Sequence, residues 1–352
     1  MNRDDLLDKV RHGEPVRSED LAGLDLTGAD LSGAMFEGTR FPVAMRGVLL
    51  KESSLVGCDL SGADLRGADL HLATFYRSTL TGSTFDEAKV IAASFVECTA
   101  PRSSFANVLA PVANWVKTTL AGASFAGANL DRANFLETDL GEARFVGANL
   151  EKVTLYRADL RTADLAGANL TLTTLVEALI GAKTFGGTML FRTQFMKSDL
   201  RGASFVGVDC SQCNFMAADL RGAVFEGARG AQCFFGEAKL DGAVFTKGDF
   251  RQAIFEKAEL SKANLSEARL EEAYLAGAVA REACFVNAKL READFSHADV
   301  TGADFSGAGL FRTKFHGARR ERATLPWFSG WLAEDQELAR VERWQPQHGA
   351  MS

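Results

Sequence analysis

From Leu50 to Leu325, nearly every residue whose number is divisible by five is Leu, Phe or another apolar residue. The residue two places earlier is nearly always Ala, Ser, Thr, Val or Cys. Residues 56–70 read VGCDL SGADL RGADL, and residues 286–305 read VNAKL READF SHADV TGADF. A spacing of five fits neither the period of about 3.6 of a helix nor the period of about 2 of a strand. A second period of twenty lies over the first. One column runs Phe75, Phe95, Trp115, Phe135 and on to Phe255, and a second runs Phe85, Phe105, Phe125, Phe145 and on to Phe245. The two columns between them are mostly aliphatic, as in Leu120, Leu140, Leu160 and Leu130, Leu150, Leu170, with Phe250 the lone Phe. This pattern predicts a square coil of four five-residue sides, with Phe on two opposite walls and Leu on the other two. Successive coils stack at about 4.8 Å, the spacing of hydrogen-bonded strands.

Five triplets, Ala63-Asp64-Leu65, Ala68-Asp69-Leu70, Ala128-Asn129-Leu130, Ala163-Asp164-Leu165 and Ala168-Asn169-Leu170, match the motif A(D/N)LXX. Through them the chain resembles the pentapeptide-repeat proteins over roughly residues 21–325. The resemblance implies an all-β fold, a right-handed quadrilateral parallel β-helix. At about 20 residues per coil it implies roughly 15 coils and a rod on the order of 70 Å long. The expected organisation is an N-terminal helical cap over 1–20, the β-helix over 21–325 and a Trp-rich helical cap or tail over 326–352.

Departures from the pattern carry expectations of their own. Leu21, Leu26, Leu31, Phe36 and Phe41 run one residue out of phase with the rest, which predicts a kink or bulge beside Pro42. Ala100 and Ala110 stand where large core residues belong, each followed by Pro, which predicts a weak or protruding coil near 98–114. Lys183, Gly230 and Arg320 also break the core pattern, and Arg320 is expected to mark a fraying end.

Candidate chemistry changes this picture little. Cys210-x-x-Cys213 has zinc-ribbon or redox spacing. In this frame, however, Cys210 falls on a core column and Cys213 on a small inward position, like Cys58, Cys98 and Cys233. Cys at such positions is read as a small buried hydrophobe. His71, His297 and His316 take outward positions, read as solvated surface. No metalloprotease, nucleophile-elbow, phosphate-loop or dinucleotide motif is present, and no base, nucleophile and oxyanion donor come together. The reading is non-enzymatic, with no catalytic, cofactor or metal residues. No run of about 18 apolar residues predicts a membrane span. The acidic opening residues do not form a secretory signal, so a cytoplasmic location is expected; signal-independent export would leave no mark here.

Function is then expected on the surface. Outward from the Phe75 wall runs an apolar column, Val56, Tyr76, Val96, Val116, Leu136, Tyr156, Val176, Met196 and Met216, read as a strip exposed to a protein partner. Beside it runs Arg77, Glu97, Lys117, Glu137, Arg157, Glu177 and Lys197, alternating in sign. At the C-terminus, Trp327, Trp331, Leu338, Val341 and Trp344 are expected in one short helical segment that caps the last coil or joins two copies in a homodimer.

The best-known pentapeptide-repeat proteins protect DNA gyrase and topoisomerase IV by imitating duplex DNA, so resemblance implies that role as an alternative. Charge argues against it. Residues 1–20 hold 4 basic and 6 acidic groups and residues 326–352 hold 2 and 4, leaving 33 basic and 36 acidic in the repeats. Duplex DNA of that length carries roughly 40 negative charges. The column Asp139, Asp159, Asp199, Asp219 and Glu259 is also interleaved with Arg161, Arg201, Arg221 and Arg281. Nucleic acid is not expected as a partner. Residues 5–34 resemble the start of accessory proteins of bacterial type VI secretion, so the favoured expectation is a scaffold or adaptor in that setting.

Overall fold

In the computed structural model, described over residues 1–327, 330–332 and 334–342, the chain is a right-handed, four-sided parallel β-helix with short helical caps. It forms two compact units, Met1–Ser204 with Val208–Asn214, and Phe205–Gly207 with the chain from Phe215.

One repeat, Leu65-Arg66-Gly67-Ala68-Asp69, explains the motif. Leu65 points inward and is fully buried, and Ala68 fills the space beside the next corner. The five backbone N–H groups all find acceptors, as burial requires. Those of Leu65 and Gly67 donate to Thr84 and Asp86 carbonyls of the next coil, and that of Asp69 to Val48 of the preceding one. The Ala68 N–H closes the turn onto Leu65. The Arg66 N–H is taken by the carboxylate of Asp64 at 3.2 Å. The Asp or Asn of the motif is thus the acceptor for the one amide that the coils cannot satisfy, an Asx turn repeated down the walls. The residue in the place of Gly67 has positive φ, +67° for Gly67 itself, which is why Gly recurs there.

In unit one, nine short parallel strands stack on a single wall: β1 (Val16–Arg17), β2 (Met35–Glu37), β3 (Ser54–Val56), β4 (Thr74–Tyr76), β5 (Ser94–Val96), β6 (Asn114–Val116), β7 (Asn134–Leu136), β8 (Thr154–Tyr156) and β9 (Thr174–Val176). From β3 onward the register advances by twenty, as in Phe75↔Phe95↔Trp115. Like therefore stacks on like. Phe75 and Phe95 lie 4.8 Å apart and nearly parallel, and Phe85 and Phe105 4.6 Å apart. Across the coil, Phe85 meets Phe95 edge-on at 6.1 Å, so the two Phe walls interlock in both favoured aromatic geometries. Buried hydroxyls at the small inward position donate to backbone carbonyls, as Ser53 Oγ does to Leu50 at 2.7 Å and Thr193 Oγ1 to Leu170 at 2.7 Å.

An N-terminal helix α1 (Arg3–Arg11) covers the first coil. Asn2 and Asp5 cap it reciprocally, Gly13 turns the chain with φ +69°, and Leu6 is fully buried. Unit two has a wall of single parallel bridges, Phe234↔Ile254↔Tyr274↔Asp294↔Lys314↔Leu332, and a second helix α2 (Gln336–Glu342) lies near its end.

Three expectations about irregularity are corrected. Beside Pro42 there is no bulge but a shortened side: Met35 pairs with Ser54 and Arg40 with Asp59, a step of nineteen, before Ala44↔Asp64 restores twenty. Residues 98–114 are a regular coil with bridges Thr99↔Thr119, Ser104↔Ser124 and Leu109↔Asn129, and Ala100 and Ala110 are buried. Pro101 and Pro111 occupy the turn position whose N–H only an Asp or Asn side chain answers. Thr99 and Leu109 stand where that acceptor belongs, and proline removes the donor. Arg320 does not fray; its guanidinium lies 4.8 Å over the Trp331 ring.

Lys183 marks a real seam. It occupies a small inward position, half-buried, and its Nζ donates to the Ala163 carbonyl that the Thr184 N–H would take in a regular coil. Among the described residues, the bridge between Asp164 and Thr184 is missing from a wall that is otherwise continuous from Ala44 to Arg144↔Asp164 and resumes at Thr184↔Ser204. Burial pushes the Lys183 ammonium below the usual lysine range, against the opposing pull of Asp164.

Candidate functional site

The outward face of the strand wall in unit one carries the two predicted columns. The step of twenty places Val56, Tyr76, Val96, Val116, Leu136, Tyr156, Val176 and Met196 above one another; Met216 belongs to unit two. The column is less open than expected. Val56 is 38% exposed, and the members from Tyr76 to Met196 are intermediate, because each leans on its neighbours in the coils above and below. The result is a low apolar ridge.

The flanking charges pair along the column rather than reaching outward. Arg77 meets Glu97 at 2.7 Å, Lys117 meets Glu137 at 3.9 Å and Arg157 meets Glu177 at 2.8 Å. Before Val56 the apolar column itself turns polar: Glu37 stands in register with Val56 and pairs with Arg17 of the preceding coil at 3.1 Å on β1 and β2. A count by twenties from Arg77 would put both in the ladder, and the shortened coil moves them into the apolar column instead. Arg77 and Arg157 lie over the Tyr76 and Tyr156 rings at 4.8 and 4.9 Å, tying the ladder to the ridge. Such exposed pairs contribute a few tenths of a kcal/mol each, roughly. Their main effect is to leave a ridge bordered by neutralised charge.

Three members of the acidic column are neutralised within their own turns. Asp159 is gripped by Arg161 at 2.6 Å, Asp199 by Arg201 at 2.6 Å and, in unit two, Asp219 by Arg221 at 2.6 Å. Each Arg stands two residues after its Asp, on the turn whose N–H that Asp accepts. Asp299 is buried between Arg281 at 2.7 Å and Arg319 at 3.8 Å. Carboxylates held this way do not present the free negative surface of a phosphate backbone.

The remaining sequence candidates separate. Cys210 and Cys213 are buried, and burial, with Cys210 beside it, pushes the Cys213 thiol well above the ordinary cysteine range. Burial likewise raises Cys58 and Cys98 to about 11, so neither is a thiolate near neutrality. At the C-terminus, α2 begins at Gln336 and contains neither Trp327 nor Trp331. Trp331 packs edge-on against Phe315 at 5.9 Å, and Ala339 is buried. Trp327 is 99% exposed, Val341 70% and Leu338 45%, whereas Trp344 lies outside the described residues. His316 departs from the expected solvated surface: it is 6% exposed and held by Glu342 and the Asp335 N–H.

The family profile described as pentapeptide repeats matches eight segments between residues 20 and 319, together more than half of the chain. No curated protein matches the sequence. Among solved structures, full-length QnrB1, a plasmid-mediated fluoroquinolone resistance protein, is 19% identical with a TM-score of 0.33; the likeness covers 59% of this chain and 90% of that one. HetL, a pentapeptide repeat protein involved in heterocyst differentiation regulation from the cyanobacterium Nostoc sp. strain PCC 7120, is 23% identical with a TM-score of 0.20, covering 90% and 97%. No helix among the described residues is long and apolar enough to cross a membrane.

Proposed function

The chain belongs to the pentapeptide-repeat family, and from that premise we propose that it is a protein-binding scaffold or adaptor with no catalytic role, engaging its partner through the ridge of unit one. The observation that carries this reading is the pairing of a continuous apolar column with a ladder whose charges are already satisfied. A flat ridge of this kind loses little on desolvation and offers Tyr76 and Tyr156 as aromatic anchors, the residue types that dominate interface energetics.

The alternative is a DNA-mimicking protein that binds gyrase or a topoisomerase and confers drug or toxin resistance. Full-length QnrB1 is described as a fluoroquinolone resistance protein. The Arg grips on Asp159, Asp199 and Asp219 favour the scaffold over that alternative. The type VI secretion setting is a narrower form of the adaptor reading. Within residues 5–34, Leu6, Leu21, Leu26 and Leu31 are core, so much of that stretch's character is explained by capping and coil formation.

The test compares the full chain with a variant carrying Val96→Asp, Val116→Asp and Tyr156→Asp, after circular dichroism shows both folded. Affinity capture from the native host is expected to yield a protein bound by the parent and lost from the variant, with the pair then reconstituted from purified components. In parallel, the purified chain is added to gyrase supercoiling reactions with and without a quinolone, where no change is expected. Gyrase captured equally by both proteins, with protection from the drug, would sink the scaffold reading.

A further inference from the structure

Within unit two, His297, His316 and Glu342 bring three ligand-grade atoms within 4.8 Å of one another, the one such group among the described residues. The coil register assembles the first two. The His297 N–H donates to the His316 carbonyl at 2.8 Å, so the imidazoles stand on adjacent coils with ring centroids 5.3 Å apart and planes at 88°. Glu342, at the end of α2, closes the group. Its Oε2 lies 3.2 Å from His316 Nε2 and its Oε1 3.3 Å from His297 Nε2.

These separations have a second meaning. Two bonds of about 2.0–2.1 Å meeting at a tetrahedral angle hold their donor atoms about 3.3 Å apart. Each imidazole nitrogen therefore already stands one tetrahedral edge from a carboxylate oxygen, His316 Nε2 from Oε2 and His297 Nε2 from Oε1; a turn of the carboxylate that brings one oxygen to both nitrogens, and closure of the nitrogen–nitrogen edge, complete the site. We propose that His297 Nε2, His316 Nε2 and the Glu342 carboxylate bind one divalent ion of the zinc class, with a water in the fourth position, clasping α2 to the coils beneath it. Two imidazoles and a carboxylate form a donor set suited to zinc and unsuited to calcium or magnesium, which take oxygen ligands.

The hydrogen bonds define what must change. His316 Nδ1 accepts the Asp335 N–H at 3.3 Å, so the metal-free neutral ring carries its proton on Nε2 and donates it to Glu342. The ion takes the place of that proton, which moves to Nδ1, and the Asp335 amide turns to water. Asp335 is exposed and the bond is long, so the loss is small beside two metal–nitrogen bonds and one metal–oxygen bond.

The test strips the full chain with a chelator and titrates it with Co2+, followed by visible absorption, then displaces the Co2+ with Zn2+. One equivalent should bind with a tetrahedral nitrogen–oxygen spectrum. Affinity should fall at least tenfold in His297→Gln, which leaves the His316–Glu342 bond to hold α2, and also in Glu342→Gln. Absence of saturable binding, affinity unchanged in either variant, or a sulfur-to-cobalt charge-transfer band would overturn the proposal.

Discussion

Gly230 and Phe250 show how far one residue decides another across coils of unit two. A Cβ at Gly230 would lie 2.2 Å from Phe250 Cε1, far inside contact distance. The glycine makes room for the ring, which leans into the Leu column and meets Phe225 and Phe245 edge-on at 5.9 and 5.0 Å. Gly230→Ala should therefore lose about 1–3 kcal/mol by overpacking. Phe250→Leu should lose a similar amount by leaving a cavity, on the order of 1–3 kcal/mol. The double variant Gly230→Ala/Phe250→Leu removes the ring that the new Cβ would meet, and its loss should be smaller than the sum of the two single losses. Thermal unfolding of the four proteins checks this; additive losses would mean the two sites are not coupled. Both residues stand out in the sequence as breaks in their columns. Their complementarity does not, because a pattern read column by column says which position is odd and not which neighbour answers it.

At the scale of the five-residue element, the Asp of each turn has two tasks: it accepts the amide two residues on and, in several turns, holds an Arg. The Arg66 hydrogen bond holds Asp64 down to about 2, helped by the Arg66 amide and charge. Asp59, Asp159 and Asp304 are lowered by the same kind of turn contact, with side-chain bonds from Ser61, Arg161 and Ser306 as the first cause. A folded value below the unfolded one, near 3.9, means that the stabilisation is fully present above about pH 4 and is lost as pH falls through the folded values. Denaturant midpoints should accordingly stay level from neutrality to about pH 4 and then drop towards pH 2. Asp64→Asn still accepts the Arg66 amide but does not titrate, so its decline in that window should be shallower than the parent's. An identical slope would remove Asp64 from the explanation. The same turn logic corrects the reading of residues 98–114. Judged by missing core volume, Pro101 and Pro111 mark a weak coil; judged by which amide needs an acceptor, they are regular substitutes.

For the whole molecule, periods of five and twenty are covalent facts, and parallel stacking turns them directly into columns. The β-helix, its Phe and Leu walls and the alternating charge ladder were therefore legible in the sequence. What was not legible depends on segments outside the period. His316 sits on an outward position of the repeat, and only the return of α2 buries it. The ridge was visible as a list of residues, but its half-buried character comes from neighbours shielding one another. The stacked aromatic wall of unit one has a last consequence, an optical one. Trp115 replaces a Phe in the column, fully buried, 4.7 Å from Phe135 and 5.5 Å from Phe95 in nearly parallel planes. Light absorbed by those rings drains to the indole, which emits from a dry interior, whereas Trp327 emits from water. With Trp327, Trp331 and Trp344 replaced by Phe, the folded chain should fluoresce at short wavelength and shift to long wavelength only when the interior of unit one opens. Long-wavelength emission from that folded variant would place Trp115 outside the column. One side chain thereby becomes a lamp inside the coil, lit by its neighbours and dimmed by the first water that reaches it.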